Sequence, residues 1–195
     1  MIHILRAINR NIGDITMTVW IALFRGINVG GNNIVPMKEL RTLLEGIGFS
    51  GVQTYIQSGN AVFSSSETSA EKIRTLILKS VEEKFGFTTK IMMLQRDELE
   101  AAVSANPFPE GEADPKMLHL FFLGARPENT DLAVFDQWKK DSESIALIGD
   151  VFYLHAREGI GRSKTAERAE RLLAVSATAR NWRSSCKILE LAQSV

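Results

Sequence analysis

The sequence predicts an α+β fold of two ferredoxin-like halves packed as one unit. Three observations carry this. From residue 17 onward the elements read β-α-β-β-α-β, the split βαβ order. A similar order of strand, helix, hairpin and helix recurs after residue 96. The join between them, Leu94 to Arg96, lacks the Gly/Ser or Pro composition of a flexible linker. The expected division is residues 1–16 as a mobile extension, 17–95 as the first half, and 96–195 as the second half with an added C-terminal helix.

The elements follow from local pattern. "TVWIALF" (Thr18–Phe24) is β-branched and aromatic and reads as a strand. In "PMKELRTLLEGIGF", Pro36 suits the first helical position, Met37, Leu40, Leu44 and Ile47 fall on one face, and Gly48 suits a C-terminal stop. "VQTYIQ" and "NAVFSS" flank Ser58-Gly59, a two-residue hairpin signal. "TSAE" (Thr68–Glu71) reads as a capping box for a helix to about Phe85, and "TTKIMML" as the closing strand. Asp97 is placed to cap a short helix through about Ser104. "KMLHLFFLG" reads as a central strand covered on both faces. Asn129 or Thr130 is expected to cap a helix through about Lys140. "SIALIGD" and "VFYLHA" form a hairpin over Gly149-Asp150, and "SKTAERAERLLAV" a helix. The closing strand of the second half is missing from this reading; a helix from about Thr178 to Leu191 takes its place.

Composition narrows the function. Hydrophobic residues make up 45%, enough for a packed core. Lys plus Arg and Asp plus Glu both total 23, so no global charge draws the chain to nucleic acid or a membrane surface. Cys186 is the single cysteine, which excludes an intrachain disulfide and fits the cytoplasm. No apolar run approaches the roughly 18 residues of a spanning helix. No His or acidic residue has metal-ligand spacing, and no cofactor motif stands out. His119 reads as a core histidine, His155 as an acid/base candidate, and Cys186 as buried and inert.

Chemistry is expected where a strand passes through glycines into a helix. Such a junction offers unpaired N–H groups and a partial positive charge to an anion. "FRGINVGGNN" supplies Arg25, Asn28, Gly30 and Gly31; "HAREGIGRSK" supplies Arg162, Ser163 and Lys164. Neither has Walker or G-x-G-x-x-G spacing; the plainer reading is tight turns with solvated cations. In "YIQSGN", Tyr55 and Gln57 share one side of a strand and could orient a ligand, and Asn60 flanks the turn. In "TARNWRSSCK", Arg180 and Asn181 open the last helix, with Arg180 on its polar stripe and Trp182 facing the core.

The stretches "ALFRGINVGGNNIVPMKELRTLLEGIGF", "VQTYIQSGNAVF", "GIGRSK" and "TARNWRSSCKILELA" together resemble the bacterial family DUF1697, from Met17 to the C-terminus. The resemblance implies an α/β fold with two ferredoxin-like halves and no established activity. It carries over Arg25, Gly26, Asn28, Gly30, Gly31, Gln57, Ser58, Gly59, Asn60, Arg162, Ser163, Lys164, Arg180, Asn181 and Trp182 as motif positions.

The leading expectation is a site for an anionic small ligand, a phosphate-containing metabolite or nucleotide, between the two Gly-rich loops. The alternative is a nucleic-acid or protein-interaction module without catalysis. Nucleic acid is not favoured, because "NAVFSS" does not match the signature of an RNA-binding sheet and the net charge is zero.

Overall fold

The computed structural model describes residues 16–195. The extension expected over residues 1–16 falls, except for Thr16, outside the described residues. The first sheet contains β1 (Thr18–Arg25), β2 (Ser50–Tyr55), β3 (Asn60–Ser65) and β4 (Lys90–Gln95) in the order β2-β3-β1-β4. The second contains β5 (Leu118–Leu123), β6 (Glu143–Ile148), β7 (Val151–Ala156) and β8 (Ala177–Asn181) in the order β6-β7-β5-β8. All pairings are antiparallel, and the two orders are the same ferredoxin-like permutation. The helices are α1 (Met37–Gly46), α2 (Ala70–Phe85), α3 (Arg96–Ser104), α4 (Lys164–Leu173) and α5 (Trp182–Gln193).

Strand alternation builds a layered core. Trp20, Ala22 and Phe24 of β1 meet Leu40 and Leu44 of α1 and Ile73, Ile77 and Val81 of α2 on the outer face of the first sheet. The other parity, Ile21 and Leu23, faces inward with Leu99 of α3, Ile188 of α5 and Leu118, Leu120 and Phe122 of β5. Phe121 and Leu123 point the opposite way, onto Ala169 and Leu173 of α4 and Phe135. β5 is therefore covered on both faces, as its unbroken apolar run predicts. α3 and α5 lie between the sheets, each entered directly from the last strand of a sheet. Each fully buried large apolar side chain contributes about 1.5–3 kcal/mol, so this shared inner layer binds the halves firmly.

Several local expectations change. The second half does have its closing strand: Ala177–Asn181 pairs with β5, from Leu123↔Ala177 to His119↔Asn181. The Trp182, Cys186, Leu189 periodicity is helical only from Trp182. Five residues of mixed character carry little strand signal, and pairing to an apolar neighbour decides their conformation. The helix expected from Asn129 to Lys140 is one 3-10 turn, Leu132–Phe135, capped by Asp131. Its buried residue, Phe135, stacks on Phe152 at 5.0 Å. The first hairpin turn has four residues, because Tyr55 pairs with Asn60; Gln57 is thus in the turn and not on a strand face. Ser69 rather than Thr68 caps α2, and Gln95 with Glu98 forms the capping box of α3 in place of Asp97.

Candidate functional site

The C-terminal end of β1, the first hairpin turn, α4 and β8 enclose a cleft of about 330 Å³. Phe24 to Ile27, Val29 and Ser58 form one wall; Ala166, Glu167, Glu170 and Ala177 to Arg180 form the other. Of the residues singled out in the sequence, Arg25 and Arg180 line it, with Asn60 bonded to Arg180 immediately behind. Arg162, Ser163 and Lys164 do not line it, although the helix they open does. Ser163 is spent as the N-cap of α4, accepting from the Ala166 amide at 3.0 Å, and Arg162 and Lys164 are exposed.

The first Gly-rich loop folds on itself. Val29 and Asn32 bridge around Gly30 and Gly31, both at positive φ (58° and 79°), which a two-residue reversal of this hand needs. Asn28 pins the loop: its Nδ2 donates to Val35 O at 3.0 Å and Gln57 O at 2.8 Å, and its Oδ1 accepts from Val35 N at 2.8 Å. The amide groups of Asn28 and Asn60 therefore serve architecture, and Asn181 caps α5 by accepting from Ser184 N at 2.9 Å. Tyr55 is half-buried against the inner core, while Gln57 is exposed.

The two arginines differ. Arg25 donates from Nη1 and Nη2 to the two oxygens of Glu170, and from Nη1 to Ala177 O at 3.1 Å. That hydrogen-bonded pairing raises the Arg25 pKa and holds Glu170 below the usual carboxylate range. Arg180, expected on a solvated helix stripe, projects from β8 toward the first sheet. Its Nε donates to Asn60 Oδ1 at 2.5 Å, and its Nη2 lies 2.7 Å from Phe24 O and 3.2 Å from both Ser58 O and Gly59 O. Its Nη1 donates to Ala179 O at 2.8 Å. All five partners are neutral oxygens. Desolvation pulls the guanidinium down to about 10, still protonated at neutral pH.

Glu170 is the residue that sequence reading missed. It lies within an ordinary amphipathic helix, and its partner is 145 residues away. Thr178 joins it in the cleft wall. The histidines lie elsewhere: His119 is buried on β5 and pushed down to about 4 by desolvation, and the Nδ1 of buried His155 sits 3.6 Å from Glu110. Among the described residues no three His, Cys, Asp or Glu side chains cluster as metal ligands, and no helix is long and apolar enough to cross a membrane.

Two four-stranded antiparallel sheets with interleaved helices define an α+β protein of the double ferredoxin-like class. The chain belongs to the family described as "Protein of unknown function (DUF1697)", whose sequence model matches residues 17–153. Its fold is similar to that of the conserved bacterial protein SP0830 from Streptococcus pneumoniae. The TM-score is 0.69 at 24% identity, covering 91% of this chain and 99% of that one. At that identity the likeness concerns fold alone. No curated protein matches.

Proposed function

We propose that this protein binds a small anionic ligand, of the phosphate-bearing metabolite or nucleotide class, in the cleft beside Arg180. The carrying observation is a half-buried guanidinium with five oxygen partners and no carboxylate among them. A desolvated cation without a counter-charge is costly, and an incoming anion offsets that cost. Arg25 and Glu170 neutralise each other at the cleft wall, and Glu167, exposed on α4, also lines the cleft; Arg180 is the cation there that has no carboxylate partner. The volume suits a compact ligand, and the single cysteine and balanced charge favour a cytoplasmic setting. Protein interaction without catalysis is the second reading, favoured by the exposed apolar side chains of Val29, Ile34 and Ile56.

Calorimetric titration with inorganic phosphate and a nucleoside monophosphate at fixed ionic strength tests the first reading. The parent should bind at least one of them, and Arg180→Gln with a native melting transition should lose about tenfold or more, as expected for a charge-assisted hydrogen bond. A parent that binds neither, or a folded variant that binds as well as the parent, would overturn it.

A further inference from the structure

The two halves place a cavity against the outer edge of each closing strand, and the two edges differ. In the second sheet, the edge of β8 is occupied by side chains. Ala177 N donates to Glu170 Oε1 at 2.8 Å, and Ala177 O and Ala179 O accept from Arg25 and Arg180 at 3.1 and 2.8 Å. In the first sheet, β4 borders a larger cavity of about 690 Å³, which five consecutive residues, Lys90 to Leu94, line. Residues of both parities reach the cavity because it meets the strand edge-on.

The ladders fix the equivalences. Phe24 N bonds to Gly59 O at 2.8 Å, and Leu123 N to Asp150 O at 3.0 Å, so Phe24 corresponds to Leu123 and Arg25 to Gly124. Phe24 pairs with Ile91 as Leu123 pairs with Ala177, so Ile91 and Met93 correspond to Ala177 and Ala179. By this alternation Ile91 and Met93 turn their N–H and C=O groups outward. The clamp that Arg25 supplies to β8 has no counterpart on β4, because glycine stands in the equivalent place. The other edge of the first sheet is already blunted by a register shift in β2 and by the C-terminal end of α5, where Gln53 bonds to Ser194 at 3.1 Å.

The geometry points to β4 as a docking edge for an extended peptide segment, which adds a fifth strand to the first sheet inside this cavity. Outward backbone donors and acceptors at Ile91 and Met93 ask for a peptide backbone, and an added strand satisfies them at the ordinary ladder spacing. Its side chains alternate between Arg74 and Leu78 of α2 on one side and the small Ala101, Ala102 and Ala105 of α3 on the other, while Phe122 to Ala125 and Ile148 to Val151 of the second half also line the cavity. Alanines on the inner wall leave room for apolar side chains from the guest. Lys90 offers a cation for an acidic residue at one end of the segment; Arg74 on the α2 wall is paired with Glu71, and Glu98 and Asp150 also line the cavity. At roughly 3.3 Å per residue the edge accommodates about five residues.

The test is to titrate the full chain with a pool of capped hexapeptides randomised at alternate positions, reading backbone amide shifts and hydrogen exchange by NMR. Binding should slow exchange at Ile91 and Met93 at least tenfold. Ala101→Arg, at an exposed helical position on the α3 wall, should keep the parent melting temperature and abolish that protection. No binding by any fraction of the pool at millimolar peptide, binding undiminished in folded Ala101→Arg, or protection confined to other strands would overturn the proposal. Concentration-dependent protection of the same two amides without peptide would assign the edge to a second copy of the chain and likewise overturn it.

Discussion

Arg25 and Glu170 join the end of the first strand of one sheet to the helix that precedes the last strand of the other, through both guanidinium Nη atoms. The same carboxylate accepts from Ala177 N, so the contact fixes a strand end as well as a charge. Side-chain exposures of 42% and 38% leave the pair open to water and salt. A double-mutant cycle with Arg25→Ala and Glu170→Ala should therefore give a coupling of about 0.2–1 kcal/mol, smaller at high ionic strength. Because the folded-state pKa of Glu170 is lowered, its contribution is present above the ordinary carboxylate value of 4.5 and is lost as pH falls below it. Urea titrations at pH 7 and pH 3 check both statements.

Gly59 should not tolerate alanine. Its φ is +76°, and an added Cβ would stand 2.6 Å from Ile27 Cδ1 and 2.7 Å from Phe24 Cβ. The left-handed backbone costs about 1–2 kcal/mol, and overpacking adds about 1–3 kcal/mol. Gly30→Ala is the control: its φ is similar, and the nearest contact is 4.0 Å away, so only the backbone cost applies. Melting temperatures should fall markedly more for Gly59→Ala.

His119 predicts a loss of stability in mild acid. Burial lowers its pKa from 6.5 to about 4, so between these values the unfolded chain binds the extra proton. The stability present above pH 6.5 should decline as pH falls and level off near 4, by about 3 kcal/mol for a shift of this size. In a folded His119→Gln variant this part of the pH dependence should vanish; a profile identical to the parent would refute the assignment.

The first half could be read closely because its signals are local: β-branched strands, an amphipathic helix that Pro36 precedes as the N-cap rather than opening as its first residue, and a Gly stop. The second half hid its closing strand, because Ala177–Asn181 is short and runs straight into the helix at Trp182. That single reassignment moves Arg180 from a helix surface to an inter-sheet position. The loops were found and their partners were not: nothing near Glu170 in sequence announces Arg25, and nothing near Arg180 announces the carbonyls of Phe24 and Gly59. Gly30 and Gly31 look like a phosphate loop in sequence, yet they satisfy a backbone reversal that Asn28 holds shut.

Tyr153 joins fold and cavity, and its hydroxyl has a distinct thermodynamic signature. It donates to Ala102 O at 2.7 Å in a fully buried contact. α3 ends at Ser104, so the Ala102 carbonyl is among the last helical acceptors, which have no amide from their own helix. Tyr153→Phe leaves that buried oxygen unpaired without opening a large cavity, and should cost about 1–3 kcal/mol in denaturant unfolding. Burial also raises the phenol from 10 to about 12, so the folded state resists ionisation. The associated stability is complete below pH 10 and is lost as pH rises toward 12, where only the unfolded chain ionises readily. The parent should thus lose an additional increment of stability across that alkaline window, and Tyr153→Phe should not. Equal alkaline slopes in the two proteins would place the hydroxyl in water and remove its role in closing α3 onto the second sheet.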